Sequence, residues 1–395
     1  TAILGVVLGI WLMRSHTLEG QASIGVRASA ALKAWRVPVT SIAVVVVVGL
    51  VLTVAWPVLL QRFRVNPNAQ EMESTYIQRN IDATRAAYGL DKLKTEQYKV
   101  TDKGEQGALA KEGDTTAQIR LLDPQVVSPT FKQLQQSKQY YTFADTLAVD
   151  KYEIDGVSQD TVIAARELDL AGNDNRNWVN DHTVYTHGNG VVAAYGNKVT
   201  ADGQPEFFES GIPTQGKLTE SEKYEPRIYF SPNTTEYSIV GAPEGTQAWE
   251  FDYPTGSEGA LTTFKGDGGP SVGNLFSRIL YAIRFGSDQI LFSDRVTSES
   301  QILYDRSPKE RVAKVAPYLT LDGRVYPAVV DGRVKWIVDG YTTSDAYPYS
   351  QMTDLGSATK DSTTVSSATV SSLGSQKANY IRNSVKATVN AYDGS

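Results

Sequence analysis

From Val37 to Gln61 the chain runs for 25 residues without a charge, and no other feature restricts its fold as severely. At about 1.5 Å rise per residue, roughly 20 apolar residues match a hydrocarbon core of about 30 Å. The β-branched run Val44–Val48 would suit a buried strand, but soluble strands seldom exceed about 10 residues. Trp35 and Trp56 stand near the two ends, where indole rings settle at membrane interfaces. A signal peptide is the rival reading, and no small-residue cleavage site follows. A second apolar stretch, Thr1–Met13, begins without an initiator Met and reads as part of another membrane helix. The expectation is a membrane protein: a transmembrane helix over 38–61, preceded by a partial one over 1–13.

The flanks suggest orientation. Arg14, Arg27, Lys33 and Arg36 lie between the apolar segments against Glu19 alone, whereas Arg62 and Arg64 follow the second segment. The positive-inside rule then places loop 14–37 in the cytoplasm and residues 62–395 outside. Ile24, Ala28, Ala31, Leu32 and Trp35 keep helical spacing, so the loop is either a helix on the membrane surface or a plain basic connector.

Charge divides the chain in the same place. Six basic residues against one acid give residues 1–64 a net +5, and since the whole chain is −6, residues 65–395 carry −11. An acidic unit repels nucleic-acid backbone, which argues against nucleic acid as a partner. With no cysteine, disulfides, thiolate metal sites and cysteine nucleophiles are excluded.

Residues 62–395 read as a mixed α+β domain with antiparallel β-meanders. Helices are expected over Met72–Tyr88, Pro124–Gln139, Val272–Phe285, Pro308–Ala316 and Asn379–Tyr392. The first would prop the domain above the bilayer. Strands are expected over Tyr140–Ile154, Thr161–Leu170, Arg227–Phe230, Glu236–Val240 and Trp249–Tyr253, with Asp155-Gly156 as a turn. Asp322-Gly323, Asp331-Gly332 and Asp339-Gly340 predict three turns of a meander, because Gly tolerates positive φ. Thr353–Ser375 is Ser/Thr-rich and reads as a flexible excursion.

Candidate chemistry is sparse. Gly211–Leu218 resembles a phosphate-binding loop, but Leu218 replaces the Mg²⁺-holding hydroxyl and no helix is expected to follow, so no nucleotide is implied. Asn173, Asn175 and Asn177 have the spacing of a calcium loop, yet Trp178 stands where Gly belongs; a hydrogen-bonded turn is the alternative. Asp181, His182 and His187 form a His/carboxylate cluster. In a strand, five-residue spacing would put the two imidazoles on opposite faces, and buried, hydrogen-bonded histidines are the plain alternative to catalysis. With Asn177 and Trp178 they make up the candidate interaction cluster. Gly269-Pro-Ser271-Val-Gly273 fits a nucleophile elbow, but all three histidines precede it; a turn with Ser271 capping the next helix is the alternative. Ser357-Ala-Thr-Lys360 falls in the low-complexity stretch, and the acids Glu250, Asp252, Asp294 and Asp305 are not paired by sequence. No catalytic set, cofactor or metal is assigned.

Long blocks of the chain carry a resemblance. Asn177-Trp-Val-Asn-Asp-His-Thr-Val-Tyr-Thr-His-Gly-Asn-Gly-Val-Val-Ala-Ala194, Asn274–Gly286, Ile302–Arg306, Arg311–Gly323, Trp336–Ser350 and Asn379–Gly394 look like signature blocks of uncharacterised protein family 0182, large multi-pass membrane proteins chiefly of actinobacteria. The resemblance implies a set of N-terminal membrane helices, of which this chain keeps the last one and a half. It further implies a large extracytoplasmic domain and a C-terminal part beyond this chain. It implies no activity and no catalytic residue. The function expected is that of a non-enzymatic cell-envelope protein, partnered by the bilayer and by envelope proteins or copies of itself. The alternatives are a transport-associated protein with a solute-capturing domain, and an enzyme acting on wall glycans or lipids.

Overall fold

The computed structural model describes residues 36–95, 97, 106–107, 119–220, 223–255, 259–358 and 373–395. The expected segment 1–13, residues 14–35 of the expected loop 14–37, and residues 359–372 of the Ser/Thr-rich stretch lie outside them. The chain divides into two compact units, Thr1–Lys103 and Gly104–Ser395.

In the first unit the apolar run is helical throughout: α1 (Arg36–Leu50), then α2 (Trp56–Leu60), then α3 (Ala69–Ala87). Wider, π-type winding joins them over Val51–Ala55 and Gln61–Val65. The first wide turn has a local cause. Pro57 has no N–H to give the carbonyl of Thr53, and its ring crowds that carbonyl, so the preceding turn opens. The Thr53 hydroxyl donates to the Gly49 carbonyl at 2.6 Å. Gly89, at φ +69°, ends the helix, as its position predicts. Among the described residues one helix, Ile42–Ala87, is long and apolar enough to cross a membrane, and none of its apolar window is buried.

The second unit is β-rich and antiparallel. Five strands, β1 (Ala148–Ile154), β2 (Val157–Ala165), β3 (Val191–Val199), β4 (Pro205–Ser210) and β5 (Gln215–Gly216), form one sheet in that order. The β1–β2 turn is the expected Asp155-Gly156, with φ of +53° and +78°. Strand β2 is buried from Gln159 onward because both faces of the sheet are covered. Its alternation separates two cores. Ile163 and Ala165 pack with Val191, Ala193, Trp336, Val338 and Val389, whereas Val162 and Ala164 pack with Phe131, Phe143, Leu147, Val192 and Ala194. The second core is closed by α4 (Ser128–Gln135), shorter than the helix expected over 124–139.

Short paired strands follow: β6 (Ser238–Val240), β7 (Glu250–Tyr253), β8 (Ala260–Thr262) and β9 (Gln301–Leu303), with β6 on β9 and β7 on β8. Helix α5 (Leu275–Phe285) and the short α6 (Gln289–Phe292) lie between β8 and β9 in the chain, and α7 (Pro308–Val315) follows β9. The first core is completed by β10 (Thr320–Val330), β11 (Arg333–Ser344) and β12 (Tyr380–Asn390), in the order β10-β11-β12.

Three expectations are corrected here. Asn379–Tyr392 is not a helix. Its β-branched residues pair with β11 over Lys335↔Asn390 to Ser344↔Tyr380, and pairing across a half-buried sheet overrides a helical periodicity. Of the three Asp-Gly pairs only Asp331-Gly332 makes a turn, with φ of +52° and +70° between Val330 and Arg333. Asp322-Gly323 and Asp339-Gly340 lie inside strands where the register shifts, so their glycines mark bulges. The described ends of the Ser/Thr-rich stretch are packed, not free: Thr353–Asp354 pairs with Lys377–Ala378, and Leu355, Leu373 and Ala378 bury together.

Candidate functional site

Alternation along β7 buries Glu250 and Asp252 on one face, and each carboxylate is surrounded by partners. Asp252 accepts from Arg227 Nη2 at 2.8 Å and from Asn189 Nδ2 at 3.1 Å, and lies 3.4 Å from His187 Nε2. Arg227 also reaches Glu225 at 2.9 Å. Glu250 accepts from the Tyr229 hydroxyl at 2.7 Å and from the backbone N–H groups of Phe264 and Gly241 at 2.9 and 3.1 Å. The His187 ring leans on Tyr229, 4.4 Å between centroids, and its Nδ1 meets the Thr186 hydroxyl at 2.9 Å.

Arg306 is fully buried. It donates to the carbonyls of Tyr229 (2.6 Å), Glu236 (3.2 Å) and Thr186, and to the Ser238 hydroxyl at 2.7 Å. Arg166 is a second buried guanidinium, bonded to the carbonyls of Gln135, Asn189 and Gly211.

Burial alone would raise Asp252, but the His187 and Arg227 contacts overcome it and hold the carboxyl below its ordinary range. Burial lowers Arg306 to about 9 against the opposing fields of Tyr229 and Glu236, and lowers Arg166 to about 10. A buried charge must be paired or hydrogen-bonded to be tolerated: Asp252 is paired with Arg227, and Arg306 and Arg166 are held by carbonyl groups. The arrangement fastens β7, Arg227–Ile228, Gly188–Asn189 and β6 to one another.

The predicted cluster is split by this geometry. Asn180–Val184 is a π-type helical turn, not the strand that the spacing suggested, because Asn177 Oδ1 accepts from the Asn180 N–H and starts a helix there. Trp178, His182 and Tyr237 come together: Trp178 Nε1 donates to the Tyr237 hydroxyl at 2.8 Å, and His182 Nδ1 donates to the Tyr237 carbonyl at 2.7 Å. Asp181 instead pairs with Arg176 at 3.0 Å, its other oxygen buried without a hydrogen-bond partner. His187 belongs to the Asp252 network, which sequence reading missed because Arg227, Tyr229, Glu250 and Asp252 come from distant segments. The only hint was the period-two placing of two acids in a strand.

The remaining motifs take structural places. Asn173 Oδ1 accepts from the Asn175 N–H, an Asx turn. Asn274, not Ser271, caps α5, accepting from the Ser277 N–H at 2.8 Å. Gly211–Leu218 contributes β5 and its turn, and Lys217 pairs with Asp155. Among the described residues no group of three or more His, Asp or Glu side chains is placed to hold a metal ion.

An open groove of about 1290 Å³ lies over Ile163, Ala165, Val325 and Trp336, rimmed by Asp150, Lys309 and Arg324. Glu167 lines it. Its carboxylate accepts from the Asn233 N–H at 3.1 Å, and burial raises it to about 7 despite the bonds from Asn233 and Ser231.

The chain combines an apolar helix long enough to cross a membrane with an antiparallel β-rich unit whose buried charges are tied internally. Its family is clear from comparison. The model of the Uncharacterised protein family (UPF0182) matches residues 8–395, and the chain belongs to that family. It is 85% identical over its whole length to a UPF0182 protein of Bifidobacterium adolescentis. A UPF0182 protein of Arthrobacter sp. (strain FB24) is 56% identical over 91% of the chain, and one of Tropheryma whipplei is 54% identical over 91%. The chain spans 36–37% of the length of these relatives. No solved structure matches.

Proposed function

We propose that the protein is an integral, multi-pass component of the cell envelope, anchored by helix 38–61, with the unit Gly104–Ser395 outside the membrane acting as an interaction module and not as an enzyme. The observation that carries this reading is the bare apolar helix: no described residue from Val39 to Leu60 is buried, and such a surface in water would cost about 25 cal/mol per Å² of apolar area. Hydrocarbon removes that cost. The binding role is supported by the strongest charged constellation, which is occupied with holding strands together.

The chain has no cysteine, so topology can be read with single introduced thiols. Gln247→Cys, at an exposed position, should react with a membrane-impermeant maleimide in intact cells, whereas Gly20→Cys should react only after permeabilisation. The reverse pattern would put the β-rich unit inside and end the proposal. A second reading, solute capture for transport, is favoured by the groove. Native mass spectrometry of the gently purified full-length protein decides it: a small ligand retained in wild type and lost in Asp150→Ala favours capture, and a stoichiometric protein partner favours the interaction module.

A further inference from the structure

Helix α5 is built inside out for a soluble domain. Asn274 caps its start and Gly286, at φ +63°, its end. Its inner side is held firmly: Ala282 is buried, Phe285 stacks on Tyr237 at 4.4 Å, Tyr281 meets Tyr304, and Arg278 Nε donates to the Val272 carbonyl at 3.0 Å. The outer side carries Leu275, Phe276, Ile279, Leu280 and Ile283, a stripe at helical spacing. Phe276 is 70% exposed and Ile283 75%, and Phe292 of the adjoining α6 is 80% exposed. Sequence periodicity identifies this apolar face correctly, but the core lies on the opposite side. An apolar surface presented by a rigid, capped helix marks a contact site.

We infer that this face is a second membrane contact: α5 lies flat in the lipid interface on the outer side of the bilayer. The inference rests on the anchoring role proposed above. Three observations favour lipid as the occupant. The same chain carries a helix fit to cross a membrane, so the β-rich unit is tethered to the bilayer. Residues 88–118 can extend on the order of 100 Å at most, which keeps α5 within reach of the surface. The face itself has the chemistry of an interfacial helix: Leu, Ile and Phe outward, the basic Arg284 exposed at its flank with its guanidinium over Tyr304 at 4.4 Å, and every helical backbone bond internal.

Spin labels on the cysteine-free full chain test this, reconstituted in phosphatidylcholine/phosphatidylglycerol vesicles. Labels at Phe276→Cys and Ile283→Cys sit on exposed positions that no packing uses. Their collision ratio for oxygen over a water-soluble nickel chelate should be several-fold higher than that of a Gln247→Cys label. Leu280→Glu should lower the ratio at the 276 label while leaving the melting temperature unchanged. Labels at 276 and 283 as open to nickel as the one at 247 would overturn the inference. So would labels shielded from both reagents with spin–spin broadening, which would assign the face to a second copy. A Val47→Cys label reports the anchor separately. If it is lipid-exposed while 276 and 283 are not, only α5 fails. If it is water-exposed, the anchoring reading fails and this inference with it.

Discussion

His182 and Tyr237 stack face to face, ring centroids 3.9 Å apart and planes 9° apart, while the Nδ1 of the same imidazole donates to the Tyr237 carbonyl at 2.7 Å. Tyr237 in turn stacks on Phe285, so one tyrosine joins the π-type turn to the inner side of α5. Two further contacts reach it through Trp178, which bonds the Tyr237 hydroxyl and packs 5.6 Å from the His182 ring.

This stack should make stability depend on pH in a definite direction. Burial lowers the His182 pKa from its ordinary value near 6.5, ahead of the opposing influence of the Tyr237 carbonyl, Glu236 and Asp181. The unfolded chain then binds the proton more readily than the native one, so stability is complete above about pH 6.5 and falls as acid protonates the ring. His182→Phe keeps the stacking, loses one hydrogen bond worth about 1 kcal/mol, and should flatten this acid limb. Melting temperatures of both proteins from pH 5 to 8 check it; parallel curves would show that His182 does not titrate on unfolding.

Glu167 works in the opposite sense. Its carboxyl is raised to about 7, so its contribution is favourable at pH 4 and is lost as pH rises toward 7 and beyond. Glu167→Gln keeps an acceptor for the Asn233 N–H and removes the buried charge. It should stabilise the protein at pH 8 by on the order of 1–3 kcal/mol and leave stability at pH 4 nearly unchanged. Thermal unfolding at the two pH values measures the difference directly.

The pairing of Asp252 with Arg227 predicts strong non-additivity. Asp252→Ala leaves Arg227 with Glu225 as its carboxylate partner, and Arg227→Ala removes one of the partners that keep Asp252 ionised. Each should cost on the order of 1–3 kcal/mol, because the surviving buried partner loses part of its compensation. The double variant should cost clearly less than the two together. Denaturant titration of the four proteins in a cycle gives the coupling; simple additivity would mean that solvent already screens the pair.

How far the sequence was legible follows from the range of the forces involved. The apolar helix and its glycine stop are local, and both can be read directly. The hairpins at Asp155-Gly156 and Asp331-Gly332 are local too. Asp339-Gly340 is not, because only the partner strand β12 decides that this glycine relieves a register shift. Residues 380–390 satisfy helical and strand spacing alike, and β11 settles the choice. The stripe on α5 shows which residues share a face, but periodicity carries no information about which side the core occupies. His187, Arg227 and Asp252 are brought together by antiparallel pairing of Gly188–Asn189 with Arg227–Ile228, and no spacing rule encodes that.

Arg306 offers the sharpest test of what ties the β-rich unit together. Its guanidinium holds three carbonyls and the Ser238 hydroxyl at once, with no carboxylate in direct contact among the described residues. A planar fork can serve those acceptors from one position, whereas an ammonium on a flexible stem cannot. Arg306→Lys keeps the charge but leaves buried acceptors unpaired, at about 1–3 kcal/mol for each. Arg306→Met removes the desolvated charge as well and leaves the same acceptors bare. If hydrogen bonding dominates, both variants should lower the melting temperature by similar, large amounts. If the cost of burying charge dominates, the Met variant should be clearly the more stable of the two. Differential scanning calorimetry at pH 7 separates the outcomes. The first is expected, because the main-chain carbonyls that Arg306 joins belong to three separate segments, around Thr186, Tyr229 and Glu236.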